Sequence, residues 1–167
     1  MTPMPDTPAA TGAARPAVLL RAAQHLLQTT TDLAALAARA YLAQVFFLSG
    51  LTKIRDWDTT LLLFNDEYRV PLLPPELAAV MGTGGELALP VLLLLGLGGR
   101  LAALGLSVVN VVAAISLPDI APAALQQHIT WGVLLAALAL HGVGRWSLDH
   151  VVLRPFLARR LGLGPTR

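Results

Sequence analysis

Residues 77–118 read LAAVMGTGGELALPVLLLLGLGGRLAALGLSVVNVVAAISLP. Two apolar runs, Leu77–Leu97 and Leu101–Leu117, are parted only by Gly98-Gly99-Arg100 and bounded by Pro74-Pro75-Glu76 before and Pro118 after. Each approaches the ~20 residues that cross a bilayer as a helix, and three intervening residues allow nothing but a tight helical hairpin. Working outward, Leu33–Leu51 forms a third run, which Asp32 is expected to N-cap and Thr52-Lys53 to end. A fourth covers about residues 128–144 and stops at Arg145. The chain has 167 residues, 55% hydrophobic and 13% charged, whereas soluble domains are about a quarter charged. Four buried helices would leave no material to surround them, so hydrocarbon must do so. The predicted fold is all-α: an integral membrane four-helix bundle with spans over 33–52, 77–97, 101–117 and 128–144.

Around that domain, taken as residues 32–150, lie an N-terminal tail (1–31) and a basic C-terminal tail (151–167). Residues 1–17 are rich in Thr, Pro and Ala and read as disordered. Val18–Leu27 alternates an apolar side, Leu19, Ala23, Leu26 and Leu27, with Arg21, Gln24, His25 and Gln28, which suits a short surface helix. Four spans put both termini and the Gly98–Arg100 turn on one side. That side holds Arg15, Arg21, Arg100, Arg145, Arg154, Arg159, Arg160 and Arg167, against Lys53, Arg55 and Arg69 opposite. The positive-inside bias predicts cytoplasmic termini. In the external connection, Trp57, Leu61, Phe64 and Tyr68 recur at three- and four-residue steps. This predicts an amphipathic interfacial helix over about 57–69, whose aromatic stripe serves packing or, with Lys53, an outer-interface contact surface.

Polar groups inside spans are costly, so their depths are informative. Counted from the side of the termini, Gln44, Glu86 and Asn110 all lie about 10 to 12 residues in, near the midplane, with Arg39 and Ser107 at about 7. Arg39 and Glu86 differ by roughly 7.5 Å of helix rise, a distance a long side chain can cross, and an Arg39–Glu86 pair flanked by Gln44, Asn110 and Ser107 is expected. Asn110, Gln44 and Ser107 would equally serve as interhelical hydrogen-bonding glue. Arg39 would equally snorkel to headgroups. Glu86 must be paired or protonated, which makes it the candidate proton acceptor or substrate contact. Pro90, one turn on, removes a backbone donor and frees a carbonyl at the Glu86 level. There is no cysteine, which excludes thiol exchange by this chain and Cys-based metal sites. The four histidines, His25, His128, His141 and His150, do not pair at one depth, so no haem or other metal is expected. A net charge of +2 gives no reason to expect nucleic acid.

In order and spacing the chain resembles the DoxX family of small bacterial membrane proteins. The resemblance rests on Phe47-Leu48-Ser49-Gly50-Leu51-Thr52-Lys53 and the aromatic loop helix after it, and on Glu86-Leu87-Ala88-Leu89-Pro90. It continues through Gly96-Leu97-Gly98-Gly99-Arg100-Leu101-Ala102-Ala103 to His141-Gly142-Val143-Gly144-Arg145-Trp146-Ser147-Leu148-Asp149, covering roughly residues 36–149. It implies an inner-membrane protein tied to respiratory or oxidative-stress chemistry, with Lys53 and Glu86 at the family's motif positions. The leading expectation is a non-catalytic accessory subunit of a membrane-associated redox, respiratory (quinol-linked) or oxidative-stress system, with a protein partner and, as the one cofactor class, quinone. The alternatives are an oxidoreductase subunit handling quinol through Glu86 with Arg39 or Lys53, and a small transporter, active as a homo-oligomer, with a path through Gln44, Glu86 and Asn110.

Overall fold

The computed structural model describes residues 14–153 together with Phe156 and Arg160. The expected disordered tail, up to residue 13, and most of the basic tail lie outside the described residues. Five α-helices follow in order: α1 (Ala14–Arg55), α2 (Trp57–Asp66), α3 (Pro75–Leu95), α4 (Gly99–Ser116) and α5 (Pro122–His141), then a π-helical turn at Asp149–Leu153. Among the described residues there is no strand. Among the described residues four helices, α1, α3, α4 and α5, are long and apolar enough to cross a membrane. The chain is an integral membrane helical bundle, and the interfacial segment of its first long connection is α2.

The largest departure from expectation is α1. The surface helix over 18–27 and the span from residue 33 are one unbroken helix of 42 residues, roughly 63 Å at 1.5 Å per residue and twice a hydrocarbon core. The polar run Gln28–Thr31 does not interrupt it, because its threonines back-bond along the helix. Thr29 Oγ1 donates to the His25 carbonyl (2.9 Å), Thr30 Oγ1 to Leu27 (2.9 Å) and Thr31 Oγ1 to Leu27 (2.8 Å). Asp32 is therefore inside the helix, not its N-cap. Elsewhere the ends shift: α2 stops at Asp66 rather than 69, and α5 begins at Pro122, gaining the length that residues 128–144 lacked.

α3 is the central helix, packed against α1, α4 and α2, while α5 packs on α4 and touches α1. In lipid, no hydrophobic force draws apolar helices together; close van der Waals packing and small residues do. The core joins Leu42 and Phe46 of α1 to Leu93 of α3, Ala102, Ala103 and Leu106 of α4, and Leu135 and Leu138 of α5. Outward-facing Leu101, Leu104, Val108, Val111 and Ile115 form an exposed apolar stripe along α4, which water would not tolerate and acyl chains would. A second, smaller cluster packs Phe64 against Ala78 and Ala79, with Trp57, Leu61 and Tyr68 around it. The aromatic stripe thus seats α2 on the first turns of α3, and Phe64 and Tyr68 meet edge to face at 4.9 Å.

Candidate functional site

Glu86 lies on the buried face of α3, shared with Ala79, Thr83, Pro90 and Leu93. Directly opposite, α1 presents Gly50. A Cβ there would stand 2.9 Å from Leu87 Cγ and 3.1 Å from Glu86 Cβ, so glycine permits the helices to cross this closely. One turn later the last turn of α1 delivers Lys53, whose Nζ donates to Glu86 Oε2 at 2.6 Å and to Ser49 Oγ at 2.9 Å. The two side chains keep 20% and 9% of their exposure, so the pair is sheltered without being sealed.

α2 is stitched to the end of α1. Thr60 Oγ1 donates to the Lys53 carbonyl at 2.9 Å, and Asp56 caps α2 through the Thr59 backbone N–H (3.0 Å) and hydroxyl (2.7 Å). Burial pushes the half-buried Tyr68 phenol above its ordinary pKa, and the neighbouring Glu86 and Glu67 carboxylates add to the rise. Tyr68 is thereby held as a neutral donor beside the site. Thr83, one turn before Glu86, is buried, and its hydroxyl has no hydrogen-bond partner. A carboxylate, an ammonium, a phenol and an unpartnered hydroxyl, spread from the middle of α3 toward α2, suit a polar headgroup with both donor and acceptor oxygens.

Arg39 is not part of this group. It is 1% exposed and points toward the opposite end, donating to the carbonyls of Leu93 (2.8 Å), Leu94, Val143 (3.0 Å) and Trp146 (2.9 Å). The reason is local. α3 ends at Leu95, and its last carbonyls lack intrahelical donors; they lie nearer to Arg39 than Glu86 does. Gly96 completes the arrangement with φ +67°; a Cβ there would stand 2.4 Å from Ser147 Cβ and 2.9 Å from Arg39 Nη2. The guanidinium neither pairs with Glu86 nor snorkels to headgroups.

The remaining expected members are dispersed. Gln44 is exposed on the outer face of α1. Ser107 Oγ donates to the Ala103 carbonyl of its own helix at 2.8 Å. Asn110, 3% exposed, ties α4 to α5: its Nδ2 donates to the His128 carbonyl and its Oδ1 meets His128 Nδ1, both at 2.9 Å. Depth alone could not reveal which way each residue faces around its helix.

Sequence reading gave Asp149 no role and Asp32 only that of an N-cap. Asp32, 2% exposed, accepts from the Arg145 backbone N–H (3.0 Å) and Nε (2.6 Å). Asp149 accepts from Gly98 N (2.9 Å) and Gly99 N (3.0 Å), capping α4 from 50 residues away. The acid of Ser147-Leu148-Asp149 has no local partner in sequence, and the hairpin glycines have no local cap; those two vacancies were the only signal. Among the described residues no cluster of three or more His, Asp or Glu forms a metal site.

A model of the DoxX family matches residues 34–119, which contain the Lys53–Glu86 pair, α2, Arg39 and the hairpin. No curated protein and no solved structure matches the chain.

Proposed function

The chain belongs to the DoxX family, and from that premise we propose that it is a non-catalytic accessory subunit of a quinol-linked redox system in the bacterial inner membrane. In this reading both termini are cytoplasmic, the Lys53–Glu86 pair lies between the midplane and the outer interface, and the pair offers a quinone or quinol headgroup its polar contacts. The observation that carries the reading is the 2.6 Å Lys53–Glu86 contact, left partly accessible at the end of α1 to which α2 is tied. A quinol hydroxyl finds an acceptor in Glu86, and a quinone carbonyl finds donors in Lys53 and Tyr68; redox chemistry belongs to the bound ring and to a partner protein. The side chains present suit such a ring, since the unpartnered Thr83 hydroxyl is one further polar group at this level.

A second reading, direct quinol handling with Glu86 as proton acceptor, draws on the same pair, because the carboxylate stands at a partly accessible contact where a quinol hydroxyl could reach it. The transporter reading loses its path, as Gln44 faces outward and Asn110 is engaged with His128.

The test is purification of the full chain in mild detergent, identification of copurifying proteins, and thermal unfolding with and without a short-chain ubiquinone analogue. A redox protein should copurify, and the analogue should raise Tm for wild type but not for Glu86→Gln. Absence of both effects would overturn the proposal. Quinol oxidation by the isolated chain would replace it with the second reading.

A further inference from the structure

A cavity lies away from the Lys53–Glu86 pair. It lies at the other end, about 340 Å³ in volume, where the α3–α4 hairpin meets the last turn of α5 and the segment that follows. Its walls are the start of α4, the end of α5 with the segment after it, and α1 at Gln28 and Asp32, just before the apolar stretch of that helix, so in a bilayer it opens toward headgroup depth. Asp32 and Asp149 are among its lining residues, and both are committed. Asp32 binds the backbone N–H and Nε of Arg145, and Asp149 binds two amides at the start of α4.

Its arginines are less committed. Arg100 is exposed and makes one long bond, Nη2 to the Leu140 carbonyl at 3.3 Å. It lies across Gly142, where a Cβ would stand 3.5 Å from Arg100 Nε, and the bare glycine leaves the cavity open beside the guanidinium. Arg145 is fixed at the wall through its backbone and Nε, with its side chain 44% exposed. One acid is therefore matched by Arg145 and the other by backbone dipoles, leaving Arg100 as a cation in a concave site without an acidic partner.

We propose that this cavity is an anion site that takes a phosphate group, with Arg100 as its principal ligand and Arg145 as the second. A guanidinium presents its N–H groups in a fork that matches two phosphate oxygens, a geometry an ammonium cannot reproduce. Basic pockets between helices at headgroup level suit anionic lipids. The same chemistry would accept a free phosphate ion, and the source is decided by experiment. The site is independent of the quinol reading, since it shares no residue with the Lys53–Glu86 group.

The experiment follows thermal unfolding of the full chain in a neutral maltoside detergent. Dioleoyl phosphatidylglycerol, dioleoyl phosphatidylcholine at equal mole fraction, or inorganic phosphate is added to wild type, Arg100→Gln, Arg100→Lys and, as a control at the other end, Arg69→Gln. Phosphatidylglycerol should raise wild-type Tm by roughly 4 °C more than phosphatidylcholine does. Arg100→Gln should lose most of that difference and bind the anionic lipid about tenfold more weakly. Arg100→Lys should recover only part, and Arg69→Gln should behave as wild type. A matching rise with inorganic phosphate alone identifies the free ion as ligand. Equal shifts from the two lipids with none from phosphate, or a full shift retained in Arg100→Gln, overturns the site.

Discussion

The two ends of the bundle each bury charge, and they satisfy it differently. At the hairpin end, Arg39 is surrounded by four backbone carbonyls and Asp149 by two backbone amides. At the α2 end, Lys53 and Glu86 rely on each other and on Ser49. Backbone partners cannot swing away or be exchanged, so the Arg39 and Asp149 contacts are architecture, distinct from the Arg100 and Arg145 side chains of the cavity at that end. Side-chain partners can be separated by a ligand that offers equivalent contacts, so the second is a place where something can bind. Residual exposure follows the same division: 1% for Arg39 and 20% for the Lys53 side chain.

The largest effect that could break this comparison comes from Arg39→Leu. The substitution removes bonds from a charged donor to four carbonyls, each worth about 1.5 to 3 kcal/mol, and leaves the Leu93 carbonyl only its bond from the Gly96 N–H, so a loss of at least ~3 kcal/mol is expected, seen as a collapse of monodisperse protein in detergent. A well-folded Arg39→Leu chain would mean that the hairpin end is not the anchor. Next is Glu86→Gln. Breaking a fully buried pair costs about 3 to 5 kcal/mol, but Lys53 retains access to water and the expected loss is about 1 to 2 kcal/mol. Lys53→Met combined with Glu86→Gln should recover part of it, and a double-mutant cycle in chemical denaturant measures the coupling. Any quinone-dependent stabilisation should vanish in the single variant. Smaller again is Asp149→Asn, where a weaker cap at the start of α4 should cost about 1 kcal/mol. Faster amide exchange at the hairpin, with Lys53–Glu86 chemistry untouched, would separate the two ends experimentally.

The division was only partly legible in the amino-acid order. Span count, the tight hairpin and the interfacial helix follow from apolar run length and the 3.6-residue period, which lipid enforces without tertiary detail. Lys53 and Glu86 were visible singly, the first as the stop to a span and the second as an acid within one. Their union was not visible, because depth counting gives height along the bundle but not facing. Counting in turns favoured Arg39 as the partner, whereas the orphan carbonyls at the end of α3 claimed that guanidinium. Asp32 was misassigned for a related reason. An acid before an apolar run looks like an N-cap, yet Thr29, Thr30 and Thr31 satisfy carbonyls within the helix and carry α1 straight through. Contacts such as Arg145 to Asp32, 113 residues apart, have no local signature at all.

The smallest expected effect sharpens the comparison most finely, because it concerns the one cap at the α2 end. Donation from the Thr59 hydroxyl, and then from its backbone N–H, holds the Asp56 carboxyl below its ordinary pKa. A carboxyl whose folded pKa is depressed contributes stability that is complete above the unfolded value near 3.8 and is lost as pH falls through the lower folded value. α2 should therefore loosen in acid below that point, detectable as a change in Trp57 emission, while the hairpin's backbone-bound Arg39 does not titrate there. Asp56→Asn retains an oxygen that caps the helix but cannot titrate in this range, so it should abolish this acid step and leave the neutral-pH spectrum as it was. An unchanged acid step in Asp56→Asn would show that the Asp56 cap is not its origin, and would leave other contacts, such as Thr60 to the Lys53 carbonyl, as the element that holds α2 in place.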